Sequence, residues 1–120
     1  MSRRGAVGRY GESVAARILT AKGYDVLDRN WRCPQGEIDI IARDGQRDEL
    51  VFVEVKTRRG DAFGHPAEAV VGAKLARLRR LAALWLTEHT ERAAGVRIDV
   101  IAVWPRPAGA ARIEHIIGVG

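Results

Sequence analysis

Residues 37–42, Glu37-Ile38-Asp39-Ile40-Ile41-Ala42, and residues 51–56, Val51-Phe52-Val53-Glu54-Val55-Lys56, decide how this chain folds. Alternate side chains of an extended strand point to opposite faces. The first run carries Ile38 and Ile40 on one face and Glu37, Asp39 and Ile41 on the other. The second carries its valines on one face and Phe52, Glu54 and Lys56 on the other, so the polar residues gather on one face in both. Between them, Arg43-Asp44-Gly45-Gln46-Arg47-Asp48-Glu49 is a polar, glycine-containing connection suited to an antiparallel hairpin. A symmetric, unbulged loop centred between Gln46 and Arg47 puts Asp39 opposite Glu54, Ile41 opposite Phe52, and Glu37 opposite Lys56, the last as an expected ion pair. Facing Cβ atoms in such a pair lie about 4.5–5.5 Å apart, close enough for two carboxylates to share one divalent cation.

Upstream, Val7, Tyr10, Val14, Ile18 and Leu19 recur at three- and four-residue spacing, which predicts a helix from about Arg4 to Lys22, with Gly23 as its stop. On the helical wheel Glu12 falls beside Leu19, at the edge of the apolar arc, where it can look toward whatever the helix packs on. Tyr24 to Arg29 reads as a short strand, and Asn30 to Gly36 as an irregular connection. Downstream, a second helix is expected from Pro66 to His89, its core arc formed by Val71, Leu75, Leu78, Leu81, Ala82 and Trp85. Lys74 lies inside that arc, whereas Arg77, Arg79 and Arg80 point elsewhere. Val96 to Trp104 alternates as a strand, Pro105 to Ala111 is a loop, and Arg112 to Ile117 is a last strand. The order is αβββαββ, an α/β fold.

A chain of 120 residues, 47% apolar and without repeat or linker, is expected to form one domain spanning residues 1–120. Leu81 to Leu86 is far shorter than the roughly 20 apolar residues that span a bilayer, and the opening residues lack the apolar core of a secretory signal. A cytoplasmic location is expected. Cys33 is the single cysteine, which excludes an internal disulfide or a cysteine-based zinc site and is read as a buried or idle thiol. The net charge of +5, from 20 Lys+Arg against 15 Asp+Glu, favours a polyanionic partner.

Two like charges across a strand pair repel, and burying them without a counter-ion raises at least one pKa. A divalent cation resolves the conflict. Hard oxygen ligands suit Mg²⁺ (or Mn²⁺), and Lys56, one pleat from Glu54 on the same face, supplies a positive charge for a scissile phosphate. An Asp, a Glu and a Lys on a strand face are often only a solvated surface with weak ion pairs. The apolar residues around Glu54 argue instead for a central strand. Lys74 is a candidate phosphate contact or a lysine that snorkels from the helix. Arg58 and Arg59, just past the strand, are candidate nucleic-acid backbone contacts. Asp99, between Ile98 and Val100, is expected to have a structural hydrogen-bonding role, and His65 to be incidental.

Glu12 on a first helix, Asp39 on a strand and Glu54-x-Lys56 on the next resemble the PD-(D/E)XK nuclease superfamily, with its restriction-endonuclease-like fold. More closely, the chain resembles the YraN-like family of uncharacterised bacterial proteins, regarded as endonucleases distantly similar to archaeal Holliday junction resolvases. The resemblance spans Gly8-Arg9-Tyr10-Gly11-Glu12, Arg29-Asn30-Trp31-Arg32, Gly36 to Ala42, Phe52 to Arg58, and Arg97-Ile98-Asp99-Val100. It implies a mixed central sheet flanked by helices, Asp39, Glu54 and the Val55 carbonyl as metal ligands, Lys56 as catalytic lysine, and Glu12 as an outer ligand or water-positioning group. The superfamily's proline is absent, since Ile38 precedes Asp39. The expected activity is Mg²⁺- or Mn²⁺-dependent hydrolysis of phosphodiester bonds in DNA, including branched or recombination-intermediate DNA. A homodimer would be the simplest way to cut two strands. The competing readings are a non-catalytic nucleic-acid-binding module and an interaction subunit of a DNA repair or uptake machine.

Overall fold

The computed structural model describes residues 5–59 and 70–119. Among them the order is α1 (Ala6–Ala21), β1 (Asp25–Cys33), β2 (Gly36–Asp44), β3 (Glu49–Thr57), α2 (Gly72–Glu88), β4 (Gly95–Trp104) and β5 (Arg112–Ile116). The five strands form one sheet in chain order. The β1/β2, β2/β3 and β4/β5 pairs are antiparallel, and β3/β4 is parallel, with α2 in the crossover that a parallel pair requires. The fold is thus mixed α/β, with the element order that the hydrophobic periodicity dictates.

Each face of the sheet is covered by one helix. Val14, Ala15 and Leu19 of α1 pack on Ile40, Ala42, Val51, Val53, Ile101 and Val103. Leu78, Leu81 and Trp85 of α2 pack on Ile41, Leu50, Phe52, Ile98 and Val100. Strands covered on both faces must be apolar on both, which is why β3 reads as a near-continuous run and why β4, read as an alternating strand, is buried on both faces from Arg97 to Trp104. Among the described residues no helix is long and apolar enough to cross a membrane.

Several expectations need correction. β1 does not stop at Arg29 but continues to Cys33, because Trp31 packs on the α2 cluster and the segment is paired with β2 through Cys33↔Gly36. Asn30 takes a left-handed conformation (φ 54°) within it. Ile38 does not share a face with Ile40: Ile38 belongs to the α2 cluster and Ile40 to the α1 cluster. The alternation of β2 therefore breaks at Asp39, beside that left-handed residue in the neighbouring strand. Helix α2 begins at Gly72, with Val71 as an extended, exposed cap rather than a core residue. Val7 and Tyr10 are likewise exposed, so the buried face of α1 is Gly11, Glu12, Val14, Ala15 and Leu19. Pro66 and His65 lie outside the described residues.

Gly11 sets how closely α1 approaches the sheet. A Cβ at this position would collide with the Thr57 hydroxyl oxygen, so only glycine lets the helix sit on the end of β3. The next residue is Glu12, which that approach buries against the sheet.

Candidate functional site

The hairpin register is the symmetric one: Ile41 opposes Phe52, Ile40 opposes Val53 and Asp44 opposes Glu49. The β2/β3 ladder ends at Ile40↔Val53, yet both strands continue. β2 still pairs with β1 through Gly36, and β3 with β4 through Thr57↔Val103. The sheet therefore forks between Asp39 and Glu54. Across the fork the Val55 backbone N–H donates to Asp39 Oδ2 at 2.7 Å, so a side chain takes the place of a ladder bond and fixes the carboxylate.

A pocket of about 500 Å³ opens at the fork, lined by Gly8, Glu12, Gly36, Glu37, Asp39, Glu54, Val55, Thr57, Lys74, Arg77 and Leu78. Glu12, Asp39 and Glu54 are all buried at its wall. Glu54 Oε2 receives two ammonium groups, Lys56 Nζ at 3.2 Å and Lys74 Nζ at 3.3 Å. The first comes from two residues along the same strand and the second from the first turn of α2. Glu12 Oε1 lies 3.5 Å from Arg29 Nη2, which is carried by β1 on the α1 side. Four elements (α1, β1, β2 and β3) and the first turn of α2 thus converge on a small set of carboxylates and cations.

Of the residues singled out in the sequence, Glu12, Asp39, Glu54, Val55 and Lys74 line this pocket, and Lys56 reaches it through Glu54. Arg58 and Arg59 do not line it. The Arg58 backbone N–H instead bonds to Val103 O at 2.8 Å, and Arg59 is exposed beyond the strand. The expected Glu37–Lys56 pair is replaced: Lys56 turns to Glu54 and Glu37 to Arg32, because the strands have parted before those two positions face each other. Arg77 does not point away, since it lines the pocket. Gly36 lies beside it: a Cβ there would meet Leu81 Cδ1 at 3.3 Å and the Arg77 Cδ at 4.0 Å. The spacing of Arg77 one helical turn after Lys74 was the available signal. Among the described residues no group of three His, Cys, Asp or Glu forms a ready-made metal cage.

A second charged cluster lies at the opposite end of the sheet, on the α1 face. Arg97 donates to Asp99, Asp44, Glu49 and the Tyr24 hydroxyl at 2.7–3.1 Å. Asp99, fully buried, also accepts from the Gly118 backbone N–H at 3.0 Å and contacts His115 Nε2 at 2.7 Å. Because Lys22 Nζ sits 2.7 Å from His115 Nδ1 and an ammonium can only donate, Nδ1 is the acceptor and Nε2–H donates to Asp99. Burial alone would raise the Asp44 pKa, but hydrogen bonds from Arg47 and Arg97 outweigh it and bring it down to about 2. Asp99 is likewise lowered: burial opposes, and His115 and Arg97 prevail. Burial raises the Tyr24 hydroxyl. The structural hydrogen-bonding role expected of Asp99 is what its contacts show, although Arg97 as their centre was not foreseen.

The model of the uncharacterised protein family UPF0102 matches residues 11–103. A UPF0102 protein of Beutenbergia cavernae is 62% identical over 120 residues, covering all of both chains. One from Frankia alni is 55% identical, covering 98% of this chain and 97% of that one, and one from Streptomyces coelicolor is 56% identical, covering 99% and 92%. Among solved structures, Pyrococcus furiosus SfsA in complex with Ca²⁺ is similar at a TM-score of 0.37 and 16% identity, over 95% of this chain and 64% of that chain.

Proposed function

The chain belongs to the uncharacterised protein family UPF0102, and on that premise we propose that it is a restriction-endonuclease-like phosphodiesterase that hydrolyses DNA. The observation carrying the proposal is the fork itself: Asp39 and Glu54 come from two neighbouring strands and face one pocket at the place where those strands part. Like charges are seldom gathered in a partly buried pocket for stability alone, because desolvation and mutual repulsion both disfavour them.

The donor set suits Mg²⁺ or Mn²⁺, since magnesium binds through one or two carboxylates and keeps waters and substrate phosphate oxygens as its other ligands. Asp39, Glu54 and the Val55 carbonyl would hold it. Once bound, such an ion supplies an activated water and stabilises charge on the phosphate. The remaining work belongs to the chain. The Val55 N–H holds the Asp39 carboxylate in one orientation. Lys56, tied to Glu54 in the resting protein, is the fixed cation for charge developing on the phosphate. Lys74 and Arg77, one turn apart on α2, grip the phosphate from the other wall, and Glu12 orients water from the α1 side.

The test is a cleavage panel of linear, nicked, flapped and four-way-junction DNA with Mg²⁺, with Mn²⁺ and with neither. Metal-dependent cleavage that disappears in Asp39→Asn is expected; a protein that cuts none of these substrates with either ion overturns the proposal. One observation favours a second reading. Glu54 already has two lysine partners, so the pocket is charge-balanced without a metal, as a non-catalytic nucleic-acid-binding module would require. Salt-dependent DNA binding without cleavage would select it.

A further inference from the structure

Glu54 Oε2 is met by Lys56 Nζ at 3.2 Å and by Lys74 Nζ at 3.3 Å. A carboxylate oxygen offers two lone pairs, and these two ammonium groups together bring it the same charge that one divalent ion would bring. An ion that takes this oxygen must displace one of them. The two lysines are not equally placed to leave. Lys56 follows Glu54 by two residues on one face of β3, so the strand itself keeps it beside that carboxylate. Lys74 reaches Glu54 from a different element, the first turn of α2, and lines the pocket in its own right. The start of α2 also has a claim on an anion. A helix N-terminus is the positive end of the helix dipole, which disfavours a cation in the first turn. Helix α2 has no acidic residue in that turn and no side-chain cap, and Arg77 follows Lys74 one turn later on the same wall of the pocket. Glu54 supplies Lys74 with a counter-charge from across the pocket. When Glu54 is taken, Lys74 and Arg77 are left facing the pocket from a positive helix end, an arrangement that an anion completes.

We infer that Lys74 is an exchangeable counter-ion: it holds Glu54 in the resting protein in place of the divalent ion, and passes to the substrate's phosphate when Glu54 becomes a metal ligand. The ion and the nucleic acid then bind with positive cooperativity, because each favours the placement of Lys74 that the other needs. The exchange keeps the pocket charge-balanced both before and after loading. The inference rests on the proposed metal-dependent reading and adds to it the residue that couples the two ligands. Such coupling is reciprocal by thermodynamic linkage and ordinarily amounts to about 5- to 150-fold in affinity.

Both halves of the exchange can be read from binding, apart from cleavage. Ca²⁺ serves as the probe ion, since it takes the same hard oxygen ligands as Mg²⁺. Its affinity for the protein alone is measured by isothermal titration calorimetry. The affinity of an end-labelled duplex of about 20 base pairs is measured by fluorescence anisotropy in Ca²⁺ and in EDTA at one ionic strength. Without DNA, Lys74→Gln should bind Ca²⁺ about fivefold more tightly than the parent. Lys74→Arg, which keeps the charge, should stay near the parent. Arg77→Gln removes a charge from the same wall but leaves the Lys74–Glu54 pair, and should change Ca²⁺ affinity less than Lys74→Gln does. With DNA, Ca²⁺ should tighten binding by the parent about fivefold relative to its effect on Asp39→Asn, and Lys74→Gln should lose that gain. Lys74→Met, which keeps the apolar stem, replaces the glutamine variant if melting curves show the latter unfolded. If Lys74→Gln binds Ca²⁺ no more tightly than the parent, if neither binds it, or if the coupling to DNA persists in the variant, the exchange is wrong, even where the cleavage panel is positive. If Ca²⁺ binding tightens and the coupling is lost, yet no substrate of the panel is cut, the exchange stands and the hydrolytic proposal fails.

Discussion

At one end of the sheet Arg97 lies among Asp44, Glu49 and Asp99, with Tyr24 and His115 closing the cluster; at the other, Glu54 meets Lys56 and Lys74 beside an open pocket. Both groups use residues from the sheet's central strands, yet they differ in how the charges are met. The Arg97 cluster is closed. Its guanidinium is held by planar, multidentate hydrogen bonds at short distance, and a backbone N–H and a neutral histidine occupy further positions on Asp99. The pocket at the fork is open, Glu54 in it is met by two lysine ammonium groups rather than by a planar guanidinium, and its carboxylates face a space of about 500 Å³. The difference is one of access: the first cluster is enclosed by the side chains that complete it, whereas the second borders that pocket.

Four measurements can break or sharpen that contrast. The largest effect is expected in the closed cluster: Arg97→Ala leaves buried carboxylates without their counter-charge and should cost about 3–5 kcal/mol of folding free energy, read by chemical denaturation. A loss below about 1 kcal/mol would place the two clusters in one class. The converse is expected at the fork, where Lys56→Ala should lower metal-dependent cleavage by about 10²- to 10³-fold while costing no more than about 1 kcal/mol in stability. An unchanged rate in single-turnover assays removes the catalytic role from Lys56.

The third measurement is pH-dependent. The Asp44 pKa is about 2 in the fold against 3.8 for an unperturbed aspartate, and Asp99 is shifted in the same direction. A carboxylate depressed on folding adds stability that is complete above its unfolded pKa and lost as pH falls toward its folded one. Denaturation midpoints should therefore be steady down to about pH 4 and decline between about pH 4 and 2, with a shallower decline in Asp44→Asn. A decline of the same steepness in that variant would remove Asp44 as a source. The smallest effect concerns Asp39→Asn, which removes a charge from the fork but keeps an oxygen to accept from Val55. Its stability without metal should stay within the range of a surface change, about 0.5 kcal/mol, or rise slightly, and the shift in melting temperature produced by added Mg²⁺ should vanish. Marked unfolding would make Asp39 a structural residue like Asp99.

The amino-acid pattern alone determines the order of elements, the hairpin register and the placing of Glu54 and Lys56 on one face of β3, because periodicity and turn chemistry are local properties that survive in any compact packing. It also brings Lys74 into the buried arc of α2. What it leaves open is where neighbouring strands stop pairing. The break in alternation at Ile38 and the extension of β1 to Cys33 depend on Trp31 finding the α2 core, and the redirection of Glu37 from Lys56 to Arg32 depends on the strands having parted. Arg77, one turn past Lys74 on α2, lines the pocket beside Gly36. The Arg97 cluster joins residues from positions 24 to 118, and only its Arg97–Asp99 pair, two residues apart on β4, is local. Periodicity carries the faces of each element, but a fork in a sheet and a closed charge cluster are settled by side chains far apart in the chain competing for the same space and the same hydrogen bonds, and only the assembled tertiary structure decides between them.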